Sequence, residues 1–190
     1  MIEFDQSITW RELEARLATT TNARHRAMIE NVIEHGKAEC AFSVDRLMAT
    51  LSDEPAYHFW NAGTDWGPKG RDAIRAYYEG FVASGAAFFE SYKPRIVVDD
   101  DNIVTENILR QLVPGSVALQ RGLDVPDPDG HYIVSARVVN FWKFNAACQL
   151  EGEDAYASAD AVFEQVPDDE LPDAYVQMLE MVGMQEPANS

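Results

Sequence analysis

Apolar residues recur at helical spacing through the first part of the chain and switch to a two-residue period further on. In residues 20–42, "TTNARHRAMIENVIEHGKAECAF", Ile29, Ile33, Gly36 and Cys40 fall on one side of a helical wheel. Glu30, Glu34 and Lys37 fall on the other, which predicts a long amphipathic helix. Before it, "DQSITWRELEARL" reads as a short helix with Ser7 or Thr9 as N-cap. Glu12 stands three residues after Thr9, the spacing of a capping box. After it, "SVDRLMATLS" predicts a helix capped by Ser43, with Leu47, Met48 and Leu51 turned inward. "PAYHFWN" is a short aromatic strand, "NAGTDWGPKG" a loop by its Gly, Pro and Asp content, and "GRDAIRAYYEGFVASG" a helix closed by Gly85.

From there the period becomes strand-like. "AAFFESYKPRIVV" and "NIVTENILRQLV" are strands joined by the acidic turn "DDDN". "PGSVALQRGLDVPDPDG" is a Pro-, Gly- and Asp-rich excursion that could serve as a flap. "HYIVSARVVNFWKF" is the longest strand and "CQLEGEDAYAS" the last. The remainder reads as an acidic tail with one helix near "LPDAYVQMLEMV". The chain thus divides into a helical extension (1–20), a main domain (21–160) and a tail (161–190). Helices followed by a strand meander make an α+β fold, a curved antiparallel sheet wrapped around N-terminal helices. Such a cone has an open mouth suited to a ligand.

Composition narrows the partners. With 46% hydrophobic and 25% charged residues, the 190-residue chain has the make-up of a globular domain with a full core. A formal net charge of -17 and the lack of a basic run argue against nucleic acid and against anionic membranes. Two cysteines, Cys40 and Cys148, give neither a disulfide framework nor a zinc spacing. The acidic, amphipathic start lacks a signal-peptide pattern and no stretch approaches transmembrane length, so the chain reads as cytoplasmic. A small, weakly polar molecule is the expected partner.

The candidate chemistry starts with His35 and Glu39, one helical turn apart on the flank of the wheel. A helix lining a pocket would place working groups there, and imidazole beside carboxylate can exchange protons with a substrate oxygen. As a purely structural pair they would only stabilise the helix. Two ligands are too few for a metal, so no metal or cofactor is expected. Tyr57, Trp60, Trp66 and Trp142 supply flat surface for an aromatic ligand, or core. Asn107 and Asn140 interrupt apolar strand runs, and each needs a ligand oxygen or an inter-strand partner. His58 reads as a packed histidine, His25 and His131 as surface residues.

The stretches "VDRLMATLSDEPAYHFWNAG", "GPKGRDAIRAYYEGF", "IVVDDDNIVTENILR" and "VNFWKF" resemble the SnoaL-like group of the nuclear transport factor 2 superfamily, over roughly residues 25–158. The superfamily includes ketosteroid isomerases, scytalone dehydratases and polyketide cyclases. The resemblance implies a cystatin-like α+β barrel and a homo-oligomer, dimer or trimer. It sets His35 where the isomerases place an oxyanion-binding tyrosine and Tyr78 where they keep a supporting tyrosine. Phe59 stands where their catalytic Asp would be, which disfavours steroid-type isomerisation. Scytalone dehydratases carry tyrosines near the positions of Phe59 and Glu39, and histidines at those of Phe88 and Val113. Their register turns Asn107, Leu109 and Gln111 inward, with Val138, Asn140 and Trp142, and turns Glu106, Arg110 and Arg137 outward. If Phe59 faces the pocket, Tyr57 does too. The expected catalytic set is His35, Glu39, Tyr78, Asn107 and Asn140. Tyr57, Phe59, Trp60, Trp66, Phe88, Val138 and Trp142 are the expected substrate contacts. The expected activity is a cofactor-independent lyase that removes water or formaldehyde from a small aromatic compound, lignin-derived aromatics included. A polyketide cyclase or isomerase, a non-catalytic small-molecule-binding module and a structural oligomerisation domain are the alternatives.

Overall fold

The computed structural model describes residues 2–61, 63–158 and 161–183. Three helices come first: α1 (Ile8–Thr19), α2 (Ala23–Cys40) and α3 (Val44–Ala49). Strand β1 (His58–Asn61), the two-residue β2 (Thr64–Asp65) and α4 (Arg71–Ala83) follow. The long strands β3 (Phe89–Val98) and β4 (Asn102–Pro114) lead to α5 (Gly115–Gln120). Strands β5 (His131–Phe144), β6 (Leu150–Ala157) and β7 (Val162–Val166) precede α6 (Asp173–Met181).

Local chemistry sets several boundaries. The side chain of Asn22 accepts from the backbone N–H groups of Arg24 and His25, so α2 starts there. Thr9 is no N-cap. It lies within α1, buried, and its hydroxyl accepts from the Ser91 N–H of β3. The capping-box spacing at Thr9 is thus a coincidence of composition, and the Thr9 oxygen fastens helix to sheet instead. Arg71 ties the start of α4 to the end of α3 by donating to the carbonyls of Met48, Leu51 and Ser52. Gly85, at φ 70°, ends α4 in the left-handed conformation that glycine adopts without a Cβ penalty.

The sheet order is β2-β1-β6-β5-β4-β3, with β7 beside β5. Strands β3 to β6 form the antiparallel meander. The sheet is mixed rather than wholly antiparallel, because β1 runs parallel to β6. A strand delivered by a helix, without a hairpin turn, is free to pair either way. Long β5 serves two partners, β7 along His131–Ser135 and β6 along Val138–Phe144. The register of β3 against β4 shifts between Tyr92 and Arg95, around Pro94, which has no N–H for the ladder.

Of residues 161–190, read as an acidic tail, 161–183 contribute structure, and 184–190 lie outside the described residues. β7 extends the sheet, and α6 packs Tyr175, Met178 and Leu179 against Phe88, Leu112 and Ile133. The main core lies between the N-terminal helices and the sheet, with Leu13, Met28, Ile29, Leu47, Ile103 and Leu150 at its centre. Among the described residues no helix is long and apolar enough to cross a membrane. On the outer sheet face Glu106 meets Arg137 at 2.5 Å and Arg110 meets Glu90.

Candidate active site

The concave side of the sheet and helices α2, α4 and α5 enclose one large open cavity of about 770 Å³. Strand alternation decides which side chains reach it. Phe89, Ser91 and Lys93 do so from β3, and Asn107, Leu109 and Gln111 from β4. Val138, Asn140 and Trp142 face it from β5, and Glu153, Ala155 and Ala157 from β6. Helix α2 offers Val32, Gly36 and Glu39 at the spacing of one helix face. Helix α4 offers Tyr77, Tyr78 and Phe81. Phe59, Trp60 and Trp66 add aromatic surface from β1 and its loop.

Two carboxylates and an ammonium share the polar part of this cavity. Glu39 on α2 is pushed up to about 7, mainly because burial disfavours its charge, against the pull of Lys93 and, to a smaller extent, of the neighbouring Tyr78. Glu153 on β6 is pushed up to about 8, by burial first and by the nearby negative charge of Glu39 second. Burial brings the Lys93 ammonium down to about 8, with both glutamates opposing that shift. Lys93 Nζ is held by the Thr9 carbonyl at 2.6 Å and the Ser91 carbonyl at 3.2 Å. Those carbonyls accept from the ammonium and keep it placed near the carboxylates.

Glu153 is held by a relay of amides. Asn140 Nδ2 donates to Glu153 Oε1, and Asn140 Oδ1 accepts from Asn107 Nδ2 at 3.2 Å. Asn107 Nδ2 also reaches the Val138 carbonyl at 3.0 Å and Thr105 Oγ1 at 3.1 Å. Both asparagines therefore have inter-strand partners. Trp142 Nε1 donates to the same Thr105 hydroxyl at 3.0 Å, which fixes the indole against the cavity wall.

His35 lies below this floor and outside the cavity lining. It is fully buried. Thr50 Oγ1 donates to the Leu47 carbonyl at 2.7 Å, so it accepts from His35 Nδ1 at 2.8 Å. The other ring nitrogen, Nε2, is then the acceptor for the Tyr78 hydroxyl at 3.1 Å. With both nitrogens engaged by neutral groups, burial drives the imidazole down to about 3 and it is uncharged near neutrality. Tyr57 joins the same network, its hydroxyl 3.3 Å from that of Tyr78.

Of the expected site residues, Glu39, Tyr78, Asn107, Asn140, Phe59, Trp60, Trp66, Val138 and Trp142 line the cavity. Three do not. His35 is walled off because α2 is covered on that flank by α3 and α4, so both flanks of the wheel are interior. Tyr57 precedes β1 and points beneath the floor to Tyr78, so the alternation drawn from Phe59 does not extend back to it. Phe88 precedes β3 and packs on Phe4 and Tyr175, on the side that α6 covers. His58 pairs with Asp65 at 2.7 Å and stacks on Trp60. His25 pairs with Asp100 at 2.9 Å.

Glu153 and Lys93 were not among the expected site residues. Glu153 lies directly across from Trp142 in the β5–β6 ladder, so the inward assignment of Trp142 carries it inward as well. Lys93 follows Phe89 and Ser91 at two-residue steps on β3. Among the described residues no three His, Cys, Asp or Glu side chains converge to hold a metal ion.

No family model matches this sequence, and no curated protein sequence matches it either. Solved structures do. A protein assigned as a SnoaL-like polyketide cyclase from Shewanella putrefaciens CN-32 superposes with a TM-score of 0.59 at 12% identity, over 91% of this chain and 94% of its own. Another, from Shewanella denitrificans OS-217, gives 0.57 at 15% identity over 69% and 90%. RV0760c from Mycobacterium tuberculosis, in complex with estradiol-17beta-hemisuccinate, gives 0.52 at 14% identity over 73% and 98%. With its helices packed into a curved, unclosed mixed sheet, this chain has the fold of the SnoaL-like and nuclear transport factor 2-like proteins.

Proposed function

We propose that this chain is an enzyme that carries out proton transfer on a small, largely apolar, ring-bearing molecule with side chains alone. The observation that carries the reading is the meeting of Glu39 and Glu153 in one cavity with their pKa values raised toward neutrality. Acid–base catalysts work best when their pKa lies near the working pH. Glu39 is the base, because the nearby Lys93 ammonium favours its anion. Glu153 is the acid, one oxygen accepting from Asn140 and the other free to carry the proton. Phe59, Phe81, Phe89 and Trp142 give the ring body an apolar seat. RV0760c, which shares the fold, holds a steroid ester, in keeping with a ring-sized occupant here.

The reaction this pair supports best is elimination by a lyase. Glu39 takes a proton from carbon, the C–H electrons form the new double bond, and the hydroxyl leaves as water with the proton of Glu153. Glu39 then returns its proton to Glu153. Loss of formaldehyde uses the same pair differently. Glu39 takes the hydroxymethyl O–H proton, the C–C bond breaks as formaldehyde leaves, and Glu153 protonates the carbon left behind. Aromatic compounds bearing benzylic or β-hydroxyl groups suit both. A second reading, ring closure or isomerisation, is supported by the SnoaL-like cyclase assignments of structural neighbours and uses the same two protons.

The test is product analysis by mass spectrometry on a panel of aromatic and polyketide-like hydroxy compounds. Wild type should convert at least one of them, with loss of water or formaldehyde, and Glu39→Gln should not. Conversion of none, or equal conversion by Glu39→Gln, would overturn the reading.

A further inference from the structure

The proposed acid–base reading leaves one charged group of the cavity without a task. Arg121 follows α5 and lines the cavity beside Gln111, Gln120 and Tyr77. Its backbone is anchored, since its N–H donates to the Val117 and Ala118 carbonyls and α5 packs Val117 and Ala118 into an apolar cluster. The side chain makes one described hydrogen bond, from Nη1 to Gln111 Oε1 at 2.5 Å. Gln111 uses its amide nitrogen on the Ala86 carbonyl, so its oxygen is committed to Arg121. Among the described residues no carboxylate lies within 4.0 Å of this guanidinium. Arg71 and Lys93 also have no carboxylate that close, but Arg71 is held by three backbone carbonyls and Lys93 by two. Arg75, Arg110 and Arg137, by contrast, each meet a carboxylate.

Arg121 also stands away from the acid–base pair. Its partner Gln111 lies six residues along β4 from Thr105, which pairs with Asn140, the amide that holds Glu153. Tyr77 lines the same cavity with its ring packed against Phe59 and Phe81. A guanidinium presents a planar fork of donors that fits a carboxylate or sulfonate with two bonds, and one neutral amide oxygen leaves most of that fork unused.

We propose that the small molecule taken by this cavity carries an anionic group, a carboxylate or sulfonate, that docks on Arg121 while its ring body reaches toward Glu39 and Glu153. This rests on the acid–base reading for the orientation and reacting end. It adds a substrate class, an apolar ring compound with an acid at the far end, and a specificity residue. Arg121 selects against the neutral analogue because a guanidinium at the mouth gains a partner only from the anion.

Two fluorescent probes of matched shape test it on the full chain: 8-anilinonaphthalene-1-sulfonate and the neutral N-phenyl-1-naphthylamine. Both should bind wild type. Arg121→Met should weaken the sulfonate about tenfold or more and leave the neutral probe within about twofold, which also shows that the variant keeps its cavity. Added salt should weaken the sulfonate on wild type and have little effect on Arg121→Met. Equal responses of the two probes to Arg121→Met, or exclusion of the sulfonate while the neutral probe binds, would overturn the proposal and leave the acid–base reading standing. If neither probe enters wild type, the cavity does not accept ring-bearing molecules, and both readings fall together.

Discussion

His35 and Glu39 sit one turn apart on the same face of α2, yet the fold gives them opposite tasks. His35 is sealed among neutral partners, driven down to about 3, and holds Tyr78 in place. Glu39 looks into the cavity, is driven up to about 7, and faces a second carboxylate and an ammonium. Burial acts on both in the same way, against charge. For a histidine that removes acid–base work near neutrality. For a carboxylate it creates it. The comparison teaches that proximity to the site is a weaker guide to role than the sign of the shift that burial imposes.

The largest expected effect follows from removing the carboxylate. Glu39→Gln keeps the shape and should lower turnover about 10²–10⁴-fold, measured on whichever compound wild type converts, while the unfolding temperature holds or rises. His35→Ala should do the reverse in kind. It removes a fully buried ring and leaves the Thr50 and Tyr78 hydroxyls short of a partner, at a cost of about 2–4 kcal/mol. Thermal unfolding should fall by about 2–4 °C for each kcal/mol. If His35→Ala lost turnover at unchanged stability, the comparison would be broken and His35 would belong with the catalysts.

Thr50→Val isolates the hydrogen bond from the ring. It leaves the His35 Nδ1 proton unpaired in the core, costing about 1–3 kcal/mol. The two shapes are nearly equal, so the loss reports the bond. A loss as small in Thr50→Val as in Thr50→Ser would mean that the tautomer is not held from this side.

Much of this was legible in the sequence where one period ruled. The register implied by the resemblance to scytalone dehydratases, continued along β4 and β5 by their two-residue alternation, turned Asn107, Gln111, Val138, Asn140 and Trp142 inward, and all five line the cavity. The strand meander and the α4 helix with its Gly85 stop were legible for the same reason. Strand β7 was not, because four of its five residues are exposed and it carries no alternation. His35 was misplaced because a wheel separates buried from wet and cannot separate cavity from core. Arg121 was hidden because it lies in an excursion whose Pro, Gly and Asp content marks a loop and says nothing about where the loop docks.

The smallest effect expected here is a slope, and it sharpens the comparison by its sign. Glu153 keeps its proton up to about 8 in the fold, whereas its ordinary value is 4.5. Between those values the folded protein holds a proton that the unfolded chain has lost, so stability falls as pH rises through the window and levels off above it. His35 contributes the opposite slope. Its ordinary value is 6.5 and its folded value about 3, so the unfolded chain holds the extra proton and stability falls as pH falls between them. Glu153→Gln has no such proton to lose. It should unfold at the same temperature as wild type near pH 5 and a few degrees higher near pH 8, while His35→Gln flattens only the acid limb. Thermal unfolding at a series of pH values reads both slopes. If Glu153→Gln left the alkaline limb unchanged, its carboxylate would be ionised in the fold at ordinary pH, and the assignment of Glu153 as the acid would pass to Glu39.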